Sequence, residues 1–171
     1  MGEEVRTHFH EELRRLEQRT LEGLDLVVRS LDRVLQAARE RDMELAQLVI
    51  DDDDLLDGRY LEVHRQLLAL IATQAPVASD LRLIAALLHM IKITERMGDQ
   101  CVNIAKLIPL VGHDPPVDER IAEHVRRMGA QVRALILQSK HAFETRDVAL
   151  ARDLVRGDDL VDELNRRCFQ E

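Results

Sequence analysis

Tryptophan is absent from this 171-residue chain, and one tyrosine and three phenylalanines bring the aromatic share to only 2 %. So sparse a set does not build the stacking platforms on which single-stranded nucleic acid is held. Cysteine is scarce as well. Cys101 and Cys168 make no disulfide framework, and their scarcity points to an intracellular, cytoplasmic chain. Nor is there a surplus of positive charge: 24 basic residues face 32 acidic ones, a net charge of −8, which argues against nucleic-acid binding. No apolar run approaches the ~20 residues that span a bilayer, and the first residues lack the basic-then-apolar layout of a signal peptide. What is present, 46 % apolar and 33 % charged residues, describes a soluble, acidic, folded protein that needs no staples.

Helix breakers are confined to two places. Pro76 stands alone, while Pro109, Pro115 and Pro116 share the stretch 108–117 with Gly112. Elsewhere the apolar residues step by three and four, as in Phe9, Leu13, Leu16, Leu24, Val27, Leu31, Leu35 and Ala38. This periodicity predicts helices over about 4–40, about 43–73, about 80–107 and about 119–144, and a fifth from 148 onward. Asp42, Asp118 and Asp147 are the expected N-caps, and Ser79 or Asp80 that of the third helix. No alternation of period two survives. The class is all-α, with antiparallel neighbours because the links are short.

The chain also repeats itself. Arg41-Asp42-Met43-Glu44-Leu45-Ala46 aligns with Arg146-Asp147-Val148-Ala149-Leu150-Ala151, an offset of 105 residues. At the same offset Asp53-Asp54-Leu55-Leu56-Asp57 falls on Asp158-Asp159-Leu160-Val161-Asp162. The expected organisation is a complete three-helix bundle over 1–110 and a second, incomplete one over 117–171, since no counterpart of the third helix follows before Glu171. The last two helices then carry an apolar stripe that nothing in the chain covers, which favours self-association.

Three acidic pairs have i, i+4 spacing: Asp53/Asp57, Glu95/Asp99 and Asp158/Asp162. Such spacing sets both carboxylates on one helix face, where they repel by ~0.2–0.5 kcal/mol. In an antiparallel hairpin turning at Pro76, Asp57 stands level with Glu95 and Asp53 with Asp99. The four acids are thus expected at one rim of the seam, with Asn103 one turn further on and Gly58 and Gly98 leaving room for an ion and its waters. A multivalent cation relieves such a cluster, and oxygen-only donors suit iron, Mg²⁺, Mn²⁺ or Ca²⁺. The plainer reading is a solvated acidic face neutralised by Arg59 and Arg96, and a separate rival is a metal-independent interaction module whose acids bind a basic partner. Di-iron oxidase chemistry is disfavoured because no Asp or Glu has a His three residues later. A metal-dependent hydrolase would need a substrate pocket that a bundle rim does not offer. His64, seven residues after Asp57 and on its face, could be an extra ligand but is expected to pack at the surface or in the seam, and Cys101 in the core.

Glu95-Arg96-Met97-Gly98-Asp99-Gln100-Cys101-Val102-Asn103 resembles the Glu-Arg-x-Gly-Asp-x-x-x-Asn signature of the PhoU family, and Pro76-Val77-Ala78-Ser79-Asp80-Leu81-Arg82 is similar to the turn before that family's third helix. Asp53/Asp57 and Asp158/Asp162 are similar to its second- and fifth-helix acidic motifs. The resemblance implies tandem three-helix bundles, here without the sixth helix and its second Glu-x-x-x-Asp, so that the site at Asp158 and Asp162 is half-built. It implies a non-enzymatic negative regulator of phosphate uptake and phosphate-starvation signalling. Its partners would be the ATPase of a phosphate ABC transporter and a sensor kinase, reached at the membrane only through them, and members often form homodimers. It implies metal, iron among others, at Asp53, Asp57, Glu95 and Asp99.

Overall fold

The computed structural model describes residues 2–74, 76–111 and 118–169. Within them run α1 (Gly2–Glu40), α2 (Met43–Asp51), α3 (Asp53–Thr73), α4 (Ala78–Val111), α5 (Glu119–Thr145) and α6 (Val148–Cys168). The described residues contain no strand, and none of their helices is long and apolar enough to cross a membrane. Residues 112–117 of the proline-rich connector lie outside the described residues.

The expected caps form at both copies of the repeated turn. Asp42 accepts a 2.9 Å hydrogen bond from the Leu45 N–H, and Asp147 accepts one of 2.9 Å from the Leu150 N–H. The residues before them, Arg41 and Arg146, are left-handed with φ of 56° and 58°. Their neighbours' amides reach back to Ala37 and Ala142 carbonyls at 3.1 and 3.0 Å. Equal backbone conformations at the same sequence offset support a duplication. Asp118 likewise caps α5, accepting from the Arg120 N–H at 2.8 Å.

Two boundaries differ from expectation. The helix expected over about 43–73 is interrupted at Asp52. Four consecutive aspartates are poor helix formers, and the Asp52 carboxylate is drawn aside into an ion pair with Arg33 of α1. The third expected helix, α4, starts slightly earlier, at Ala78, and runs on through Pro109 to Val111. A proline there gives up one backbone donor with only the last turn beyond it, so the helix tolerates it.

α1 is the spine. Its first turns bury Phe9, Leu13 and Leu16 against Val63, Leu67 and Leu70 of α3 and Ile84, Leu87 and Ile91 of α4. Further on, Leu24, Val27, Leu31 and Val34 pack with Val49, Leu56, Cys101 and Ala105. Near its end the buried stripe shifts to Val34 and Ala37, so Leu35 turns away from the expected stripe and packs against Gly129 of α5. α5 therefore lies antiparallel along α1, buried there at Ile136 and joined by Asp25–Lys140, Asp32–Arg133 and Glu17–Arg146 ion pairs. Among the described helices α6 packs on α5 alone. Leu164 is buried and Leu150, Leu154 and Val161 are half-buried along it, whereas Val148 and Val155 stay mostly exposed, at 61 % and 72 %.

Candidate metal centre

α3 and α4 form an antiparallel hairpin over α1, and their shared outer edge carries Asp53 and Asp57 on one side and Glu95 and Asp99 on the other. Each helix buries its apolar stripe (Leu56, Val63 and Leu67; Ile91, Gly98 and Val102), which leaves the acids at the margin where the two helices meet. Asp53, Glu95 and Asp99 are half-buried and Asp57 is exposed.

The four charges reach one another. Partial burial strips water from the Asp53 anion, and the negative charges of Asp57 and Asp99 add repulsion, so its carboxyl stands above the usual carboxylate range. Lys106, one helical turn beyond Asn103, pulls the other way. The Glu95 carboxyl is raised by partial burial and then by Asp99, Asp57 and Asp53, with Arg96 opposing weakly. Next to them Cys101 is buried, as expected, and burial followed by the charge of Asp53 pushes its thiol up to about 11.

Of the two arginines expected to neutralise the rim, Arg96 acts weakly on Glu95 and Arg59 does not serve it. Arg59 turns toward α1, where it pairs with Glu22 at 2.8 Å and donates to the Arg19 carbonyl at 3.3 Å. Among the described residues none of the four acids takes part in an ion pair. The aspartate run disperses around them: Asp51 accepts from Gln47, Asp52 pairs with Arg33, Asp53 faces α4 and Asp54 is exposed. His64 sits against Tyr60, ring centroids 5.6 Å apart. Asn103 is exposed on α4.

Gly98 does not leave the expected space. A Cβ built on it would lie 2.4 Å from Leu56 Cδ2 and 3.3 Å from Asp53 Oδ1, so the gap is already filled by α3. Gly58 is open, with nothing within 4 Å of such a Cβ. Lys106 and the Leu56–Gly98 contact were not picked out from the sequence. Lys106 lies seven residues after Asp99, hence on its face, a spacing that would have revealed it.

The rim suits a hard cation in charge and in oxygen donors. Among the described residues, however, no three His, Cys, Asp or Glu side chains close around a single point. Asp158 and Asp162 stand exposed on α6, with no second acidic pair brought to them among the described residues.

Comparison with known proteins adds an independent line. The PhoU domain family matches residues 20–108 and 125–171. A phosphate-specific transport system accessory protein PhoU homolog of Aquifex aeolicus is 30 % identical over 160 residues, 94 % of this chain and 72 % of the relative. PhoU homolog 1 of Mycobacterium bovis is 32 % identical over 162 residues, 95 % of this chain and 73 % of that protein. The crystal structure of the phosphate transport system regulatory protein PhoU from Streptococcus pneumoniae superposes with a TM-score of 0.85 at 25 % identity, covering 94 % of this chain and 74 % of that one. PhoU from Pseudomonas aeruginosa gives 0.85 at 26 % identity, covering 95 % and 77 %.

Proposed function

The chain belongs to the PhoU domain family, and from that premise we propose that it is an accessory regulator of phosphate-specific transport. In this reading it restrains phosphate uptake and phosphate-starvation signalling from the cytoplasmic side, by docking on the transporter ATPase and on a phosphate-sensing kinase, and it acts as a homodimer without catalysing a reaction. Asp53, Asp57, Glu95 and Asp99 hold a multivalent cation, with Asn103 adding an amide oxygen. The cation supplies positive charge, and no bond is made or broken. Occupancy biases the docking surface only to the extent that the cation binds one arrangement of α3 and α4 better than another.

The observation that carries the cation is the rim itself: four mutually repelling carboxylates on facing helices, with Arg59 spent on Glu22 and Arg96 and Lys106 acting on single acids without pairing with any. Metal analysis of the purified protein tests it. The chain is expected to retain a multivalent metal that the double variant Asp53→Ala plus Asp99→Ala loses, and equal metal in both would end the site proposal. Pull-down of the transporter ATPase and the kinase tests the docking.

One observation favours a second reading, a metal-independent acidic module for a basic partner: the side chains do not gather around one point. The two separate on conditions. A module of that kind binds its partner more tightly at low salt and ignores chelators, whereas a cation that biases the docking surface makes partner binding sensitive to chelation.

A further inference from the structure

Glycine in the middle of a 34-residue helix is a markedly poorer helix former than alanine, and Gly98 of α4 sits in such a place. It is buried, so no gain in solvation explains it. Its conformation is an ordinary helical one, so no turn explains it either. What the missing side chain permits is contact. Leu56 of α3, only 6 % exposed, lays its Cδ2 in the space a Cβ would occupy, and the Asp53 carboxylate rests beside it on the same backbone. The separation of packed helices is set by the side chains at the point of contact. At the level of the acids that point is Leu56 against Gly98.

We infer that Gly98 is the positioning residue of the carboxylate rim: by admitting Leu56 and Asp53 onto the α4 backbone it fixes how far the α3 acids stand from Glu95 and Asp99. Asp99 follows Gly98 directly and Asp53 lies against it, so any outward push at this point widens the gap between the two acid pairs. Gly58 provides the contrast. It is also next to a rim acid, Asp57, but its face is open, and a methyl there meets nothing. The two glycines beside the acids therefore have different tasks, and only one governs spacing.

The inference rests on the proposed cation site for one of its two readouts, and the other is independent. Four proteins are compared in a Cys168→Ser background: the parent, Gly58→Ala, Gly98→Ala and Gly98→Ala plus Leu56→Ala. Mn²⁺ affinity is measured by calorimetry, and the labelling rate of buried Cys101 by a thiol reagent in metal-free buffer. Gly58→Ala is expected to match the parent in both. Gly98→Ala is expected to bind Mn²⁺ at least tenfold more weakly per folded molecule and to label at Cys101 at least tenfold faster, because α3 is levered off α4. The double variant, which removes the obstructing Leu56 methyls, is expected to return Mn²⁺ affinity to within threefold of the parent.

A folded Gly98→Ala protein that keeps parental affinity and parental labelling overturns the inference, whatever its stability. If the parent itself takes up no Mn²⁺, the cation reading falls, and labelling alone decides: acceleration confined to Gly98→Ala upholds the positioning role, and no acceleration removes it. Should Gly98→Ala fail to fold, the double variant is read against Leu56→Ala alone: a double variant that folds as well as Leu56→Ala supports the contact as the cause, and one that fails where Leu56→Ala folds refutes it.

Discussion

Asp53 carries an electrostatic burden on the rim, losing water by burial against Leu56 and Gly98 while facing Asp57 and Asp99. A carboxyl held above its ordinary range binds more protons in the folded state than in the unfolded one. Its charge therefore destabilises the fold at neutral pH, and the penalty fades as pH falls through the raised folded value toward the ordinary one. In chelator, Asp53→Asn is expected to be the more stable protein at pH 7 by about 0.5 kcal/mol, the size of one relieved like-charge pair. Thermal melts across pH 4 to 7 check this, on the order of one pH unit per step: the advantage should shrink as pH falls, and a constant difference would refute it. A second residue-scale outcome concerns the left-handed turns. Arg41 has φ 56° and no ion pair among the described residues, so Arg41→Gly is expected to gain ~0.5–1 kcal/mol. Arg146, at φ 58°, also pairs with Glu17 and lies 4.5 Å over the Phe143 ring, so Arg146→Gly is expected to gain less or nothing when both variants are titrated with denaturant.

At the scale of the helices, what the sequence announced was local. Caps at Asp42, Asp118 and Asp147 depend on a side chain reaching an amide two or three residues on, and that reach is readable from spacing. The level of the acids was readable for a similar reason, because an antiparallel hairpin turning at Pro76 pairs positions equidistant from it. What stayed hidden involves a partner from another helix. Arg33 of α1 draws Asp52 out of the expected continuous helix, Glu22 of α1 claims Arg59, and Leu56 of α3 occupies the space at Gly98. None of these follows from the neighbours in sequence. Capping gives the element-scale prediction. Asp147→Ala is expected to cost ~1 kcal/mol, felt in α6 first. Hydrogen exchange should show it as faster exchange in 148–168, with residues of α4 unchanged.

The whole molecule is held together along α1, and its weaker joint is the seam with α5. Three ion pairs line that seam, but exposed pairs are worth at most about 1 kcal/mol each and salt screens them. Ile136 and the close fit of Leu35 on Gly129 supply the apolar contact. Raising the salt concentration is therefore expected to leave α5 in place, whereas Ile136→Ala should cost ~2–5 kcal/mol and free the hairpin of α5 and α6. Scattering or a distance probe between α1 and α5 distinguishes the two, and detachment by salt alone would reverse the ranking. Because α6 touches α5 and no other described helix, an event on its far side has one mechanical route to Asp53 and Glu95. It must tilt or slide α5 along the spine, so the stiffness of that single joint sets how strongly the two ends of the molecule sense each other.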